Sequence, residues 1–172
     1  ENGQRPMSDF GAGHRFHVTG LHHNLLGFPD VSPENVDALI HHLVEKIDSK
    51  ANELARYKEY YMDDADYVIV AYGTTTRSAI QAAEDYRNQL GIKVGVLELQ
   101  TVWPFADDIV REKCANAKAV IVAEMNMGQI VNEVKRVVPQ SEKVFFSNRV
   151  DNQIIKPADI KAALKMISGK GV

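Results

Sequence analysis

Three segments of this chain hold the residue types from which chemistry could be built. Gly73-Thr74-Thr75-Thr76 sets three hydroxyls after a glycine, with Arg77 next. If it opens a helix, its free backbone N–H groups could receive an anion. It has neither the G-x-G-x-x-G spacing nor a Walker lysine, so helix capping explains it as well. Glu124-Met125-Asn126-Met127-Gly128-Gln129 places a carboxylate and two amides around a glycine. Directly after an apolar run, Glu124 could serve as a general base. No partner base or metal ligand stands near it, and the same carboxylate, with Asn126, could instead hold its loop through backbone N–H groups. Trp103-Pro104-Phe105 is an aromatic pair stiffened by proline. It suits a ligand wall, a protein contact or a buried turn that seals a sheet edge.

Metal and nucleophile chemistry find less support. His22-His23 and His41-His42 are adjacent pairs, and neighbours on a helix point about 100° apart, so they cannot grip one ion together. A zinc site needs three or four converging ligands. The lone cysteine, Cys114, lies far from both pairs. His14 and His17 read as surface or packing residues. No catalytic residue and no metal ligand is therefore assigned. One cysteine cannot form an internal disulfide, which fits a reducing cytoplasm, and cannot hold an iron–sulfur cluster, which takes about four thiolates. No serine or cysteine sits in a G-x-S-x-G elbow, so a free-standing hydrolase is unsupported.

The elements that would position these segments are legible from periodicity. Residues 1–32 are rich in Gly, Pro, His and Asn and read as an extended arm or linker, with at most a short strand near Phe16-His17-Val18-Thr19. Ser32 can cap a helix, Pro33 suits its first position and Glu34 favours its positive end. Val36, Leu39, Ile40, Leu43, Val44, Ile47, Ala51 and Leu54 follow at helical spacing, which predicts one long amphipathic linking helix over about 33–62. From 63 to 172 the rhythm changes. Four apolar runs, 67–72, 93–99, 119–123 and 143–146, alternate with helical stretches that stop at Gly91, Pro139 and Gly169. Continuous apolar strands separated by helices predict a three-layer α/β/α domain with a mostly parallel sheet, covered on both faces. In such a sheet the loops beyond the carboxyl ends of the strands, here 73–76, 100–105, 124–129 and 147–151, meet along one edge. That edge would gather Gly73, Thr74, Thr75, Trp103, Phe105, Glu124, Asn126, Gly128 and Gln129.

The whole sequence of 172 residues suits one domain, and its net charge of −3 gives no reason to expect nucleic acid as a partner. No stretch reaches the roughly 18 apolar residues that span a bilayer, and the first six residues hold no signal-peptide core. They also lack an initiator Met, so the chain reads as a piece of a longer protein. The greasy stripe of the linking helix must lie on something, and if left uncovered it predicts self-association, as in a homodimer.

Taken in order, several motifs resemble one family. They are Val18-Thr19-Gly20-Leu21-His22-His23-Asn24 with Gly27, Ala71-Tyr72-Gly73-Thr74-Thr75, Leu97-Glu98-Leu99-Gln100-Thr101-Val102-Trp103-Pro104-Phe105, and Glu124-Met125-Asn126-Met127-Gly128-Gln129. Together they resemble the C-terminal half of the alpha subunit of thiamine-diphosphate-dependent 2-oxoacid:ferredoxin oxidoreductases. The Met-Asn-Met-Gly-Gln run points to the 2-oxoglutarate type. The arm departs from the family pattern at His22 and at His23-Asn24-Leu25-Leu26, which touches the substrate subtype. The resemblance implies a transketolase C-terminal-like fold. It implies a complete complex that decarboxylates a 2-oxoacid, joins the acyl group to coenzyme A and reduces ferredoxin, using thiamine diphosphate, Mg²⁺ and iron–sulfur clusters. Those cofactors would be held elsewhere, because the chain has no Gly-Asp-Gly followed by paired asparagines and no cluster cysteines. The implied partners are an upstream pyrimidine-binding domain, the beta subunit and, through the complex, ferredoxin. The fragment alone is expected to be inactive. Two readings remain side by side: an assembly domain of such an enzyme, and a small anion- or nucleotide-binding module using the strand-end crevice.

Overall fold

The computed structural model describes residues 7–16 and 18–171. The chain divides into two compact units, Glu1–Ala51 and Asn52–Val172.

The first unit begins with irregular backbone. Phe10 and Phe16 meet edge-on with ring centroids 5.4 Å apart. Asn24 organises a tight turn, its Oδ1 accepting the backbone N–H groups of Leu26 and Phe28, as short polar side chains do in turns. An isolated bridge joins His23 to Pro29. The expected short strand is not formed at Phe16, Val18 or Thr19, and His17 lies outside the described residues. Helix α1 spans Pro33–Asp48 with Pro33 in its first turn and Glu34 near its positive end. Ser32 occupies the cap position without a side-chain cap bond. Asp30 orders this entry instead, accepting the Ser32 N–H at 3.0 Å. No residue of α1 is buried.

The helix expected to run on to about residue 60 ends at Asp48. A single turn, α2 (Ala51–Leu54), follows, and then a strand, β1 (Tyr57–Tyr60). The cause is tertiary. The Arg56 carbonyl accepts the N–H groups of Gln100 at 2.9 Å and Thr101 at 3.0 Å, and Tyr57–Tyr60 pairs antiparallel with Leu99–Val96. Ladder bonds and half-buried tyrosines outweigh helical spacing, which is a weak prior.

The second unit continues with β2 (Tyr67–Ala71), α3 (Thr75–Leu90), β3 (Val94–Leu99), α4 (Asp107–Cys114), β4 (Ala119–Glu124), α5 (Ile130–Val137), β5 (Val144–Asn148) and α6 (Pro157–Ser168). The five strands lie in the order β1-β3-β2-β4-β5. All pairs are parallel except β1–β3. Alternate residues of each inner strand feed opposite faces, as the pleat requires. Val68, Val70, Leu97, Leu99, Val120 and Val122 pack with α4 and α5 residues. Ile69, Ala71, Val94, Val96, Ile121 and Ala123 pack with α3 and α6 residues. These two cores make the three layers and bear out the expected α/β/α domain. Helix α3 stops where expected, at Gly91, whose φ of 66° is the left-handed conformation that glycine adopts without strain.

Candidate functional site

The carboxyl ends of β2, β3 and β4 bring the three chemistry-bearing segments to one edge. Gly73 and Thr74 lie exposed where β2 turns into α3, and Arg77 is exposed one position further into the helix than the threonines. Thr75 and Thr76 are buried, and the Thr76 hydroxyl has no hydrogen-bond partner. The first turn of α3 carries no acid and no side-chain cap. Of the three hydroxyls that suggested an anion cradle, only that of Thr74 is well exposed to solvent.

The β3–α4 loop is pinned at its start by Thr101, whose hydroxyl donates to the Leu54 carbonyl at 2.9 Å and accepts the Arg56 N–H at 3.2 Å. The Trp103–Pro104 peptide is cis. Pro104 is buried and Phe105 packs half-buried against the α4–α5 core. Trp103 stands 68 % exposed. The aromatic pair is thus split, with one ring as anchor and the other facing water.

Glu124 ends β4 with no exposure at all. An ionised carboxylate so placed needs a full set of donors. It has them. Oε1 accepts the Val131 N–H at 2.9 Å, and Oε2 accepts the Ile130 N–H at 2.9 Å and the Asn126 amide at 2.8 Å. The Tyr72 hydroxyl completes the set at 3.4 Å. Glu124 therefore caps α5, placing negative charge at the positive end of the helix. Asn126 extends the network. Its Nδ2 also donates to the Tyr72 hydroxyl at 2.8 Å, its Oδ1 accepts the N–H groups of Gly128 and Gln129, and its carbonyl accepts the Asn148 amide at 3.0 Å. Burial, then the Glu124 charge, push the Tyr72 phenol above its ordinary value.

One polar network therefore ties the ends of β2, β4 and β5. Sequence reasoning singled out Glu124 and Asn126 and brought the 147–151 loop to the same edge, but gave neither Asn148 nor Tyr72 a role in the site. The signal was available: each is a polar group closing or following an apolar strand. In this arrangement Glu124 holds structure. Both of its oxygens accept hydrogen bonds within the fold and the side chain has no exposure to solvent.

Around the rigid network the edge is apolar. Val102, Trp103, Met125, Met127, Val150 and Ile154 are all exposed, Met127 at 79 %. The opposite, amino end of the sheet holds a cavity of about 460 Å³ near Glu59, Asp63, Asp64, Asp66 and Glu112. Four of these five carboxylates are engaged by cations, Glu59 and Glu112 by Lys113, Asp64 by Arg87 and Asp66 by Lys118.

The profile of the pyruvate:ferredoxin oxidoreductase core domain II family matches residues 65–160. The chain belongs to this family. The matched stretch takes in β2 to β5 and the whole polar network, and it bears out the resemblance carried by the motifs. Among curated relatives, the 2-oxoglutarate synthase subunit KorA of Methanocaldococcus jannaschii is 37% identical over 158 residues, 92% of this chain and 42% of that protein. The ketoisovalerate oxidoreductase subunit VorB of Methanothermobacter marburgensis is 33% identical over 129 residues, 75% of this chain and 36% of its own length. The chain thus spans about two fifths of the length of the curated relatives it matches. In fold it is similar to a 2-oxoglutarate:ferredoxin oxidoreductase from Magnetococcus marinus, solved with 2-oxoglutarate, coenzyme A and succinyl-CoA bound. The TM-score is 0.78 at 23% identity, over 96% of this chain and 29% of that one. A split-gene transketolase, an inactive beta4 tetramer, aligns over 67% of this chain and 42% of its own with a TM-score of 0.52 at 21% identity. The family fold is thus the transketolase-like α/β/α arrangement expected from the motifs.

Proposed function

We propose that this chain is the C-terminal structural and assembly domain of the alpha subunit of a 2-oxoacid:ferredoxin oxidoreductase of the 2-oxoglutarate type. The observation that carries this reading is the alignment of 92% of the chain with 42% of a 2-oxoglutarate synthase subunit. The edge geometry supports it. A hydrogen-bonded network centred on the buried Glu124 ties the loops together, and an exposed apolar rim of Trp103, Met125, Met127, Val150 and Ile154 gives a neighbour something to bury against.

In the complex, the 2-oxoacid would be decarboxylated on thiamine diphosphate, its acyl group passed to coenzyme A and the electrons delivered through iron–sulfur clusters to ferredoxin. The residues here do not fit those cofactors. Cys114 is the only cysteine, and burial holds its thiol protonated, with a pKa of about 12. It cannot ligate a cluster. No diphosphate-binding Gly-Asp-Gly segment is present either. We assign no proton or electron transfer to this chain. Its partners in this reading are a pyrimidine-binding domain and the beta subunit, in the cytoplasm. No helix among the described residues is long and apolar enough to cross a membrane.

The test is to assemble the complete alpha–beta complex with Trp103→Ala. The isolated chain should keep its melting temperature, while recovery of the beta subunit with the alpha subunit drops several-fold and ferredoxin reduction drops with it. Unchanged ferredoxin reduction after deleting the whole domain would sink the proposal. A thermal-shift screen of anions and nucleotides addresses the binding-module reading, which requires a shift that Thr74→Val, at the exposed hydroxyl, abolishes.

A further inference from the structure

The chain has five methionines, and two of them, Met125 and Met127, stand in the loop that joins β4 to α5 at the apolar edge. Met125 is 42 % exposed and Met127 79 %. The fold holds Met127 out. On one side of it, the Asn126 carbonyl accepts the Asn148 amide at 3.0 Å, and Asn126 Nδ2 donates to the Tyr72 hydroxyl and to Glu124, both at 2.8 Å. On the other side, the Gly128 and Gln129 N–H groups donate to Asn126 Oδ1 at 2.8 Å and 3.0 Å. Turning the Met127 side chain inward would break these bonds. The next residue, Gly128, has no side chain to lie over it, and at its φ of 104° a Cβ would meet Val131 at 3.2 Å. The thioether that an assembling neighbour would bury is therefore open to solvent until that neighbour arrives.

We propose that Met127 is a redox-sensitive contact: in the unassembled subunit, hydrogen peroxide oxidises its sulfur to the sulfoxide, and the oxidised side chain blocks docking of the beta subunit on this edge. The inference rests on the assembly role proposed above. In the step, a sulfur lone pair attacks one peroxide oxygen, an S–O bond forms and the O–O bond breaks. The departing hydroxide takes the proton of the transferred oxygen and leaves as water. Sulfur loses two electrons and the peroxide gains them. The product is polar where the thioether was apolar. Val102, Met125, Val150 and Ile154, which share the rim, carry no side-chain hydrogen-bond donor for it, so burying it there is unfavourable. The Asn126 bonds do not involve the sulfur, so the oxidised chain keeps its fold. A methionine sulfoxide reductase restores the apolar surface, which makes the block reversible. The chain carries its own controls. Met7 and Met166 are as open, at 88 % and 87 %, but Met7 lies in the first unit and Met166 near the C-terminal end of α6. Met62 is only partly exposed and Cys114 is buried.

The experiment treats the complete alpha subunit with hydrogen peroxide, removes the peroxide with catalase and then adds the beta subunit. Peptide mass spectrometry follows oxidation at each methionine. Recovery of the beta subunit should fall several-fold in step with the Met127 sulfoxide, at an unchanged melting temperature, and methionine sulfoxide reductase should bring it back. Met127→Leu should lose none of its own untreated recovery under the same treatment, whereas Met166→Leu should give no protection. Undiminished recovery with Met127 fully oxidised, a loss that the reductase does not reverse, or equal losses in the wild type and Met127→Leu would each overturn the proposal. Trp103→Ala separates the two readings. If it weakens recovery and peroxide does not, only the redox role fails. If it leaves recovery untouched, the docking edge itself is wrong, and the redox role falls with it.

Discussion

At the scale of the residue, Glu124 is fully buried and held by four donors. Two backbone N–H groups of α5, one amide and one phenol converge on its carboxylate. Truncation would leave the Ile130 and Val131 donors buried and unpaired, and a hydrogen bond to a charged group is worth roughly 1.5–3 kcal/mol. Glu124→Ala should therefore lower unfolding stability by about 3 kcal/mol in urea. Glu124→Gln should also destabilise, because its amide turns a donor toward donors. Glu124→Asp, which keeps the charge but falls short by one methylene, should lie between them. A catalytic carboxylate would show the opposite signature, with lost activity at unchanged stability.

The buried phenols give a second prediction at this scale. Burial raises Tyr86, whose single hydroxyl proton is shared between the carbonyls of Lys161 at 3.0 Å and Lys170 at 2.9 Å. Burial and the Glu124 charge raise Tyr72. In the unfolded chain both return to the ordinary 10.0. Above that pH the unfolded state releases phenolic protons that the folded state retains. The stabilisation is thus complete below about pH 10 and declines as pH rises beyond it. The urea midpoint should fall above that point, and Tyr86→Phe should flatten the fall even though its baseline stability is lower.

At the scale of the element, Gly95 shows how tightly the turn after β1 lies on β3. A Cβ there would meet Met62 Sδ at 2.7 Å, Ala65 Cβ at 2.8 Å and the Tyr61 carbonyl at 3.0 Å. Gly95 lies opposite Val68 of β2, and its neighbour Val96 is paired with Tyr60 of β1, so the strand cannot retreat. Gly95→Ala should destabilise by about 1–3 kcal/mol, the usual range for overpacking, and chemical denaturation would measure it. Gly91→Ala, whose Cβ meets nothing within 4 Å, should lose only the strain of a left-handed residue, about 1 kcal/mol. If the two variants behaved alike, close approach would not be the reason for glycine at 95.

At the scale of the whole molecule, the chain separates structural rigidity from contact surface. A buried carboxylate and half-buried amide and phenol groups hold the strand-end loops from within, while Trp103 and the methionines face outward. Removing an outward side chain should therefore leave folding intact and weaken assembly, whereas removing an inward one should do the reverse. That contrast, read by melting temperature against subunit recovery, distinguishes a docking domain from a catalytic one.

The four apolar runs, the helix stops at Gly91 and Gly169, and the gathering of three loops at one edge were determined by the sequence alone. They are local consequences of side-chain period and of the rule that parallel strands end together. The family was legible in the same way, from the order of short motifs. Only the tertiary structure decided that residues 57–60 form a strand, since helical spacing continues to Leu54 and the competing ladder lies some forty residues away on β3. Likewise, nothing local shows that Thr75 and Thr76 turn inward, and although Tyr72 and Asn148 stand at strand ends, only the packed sheet decides that they bond to Asn126. Sequence names the groups that reach the edge, and packing then determines which of them water can still touch.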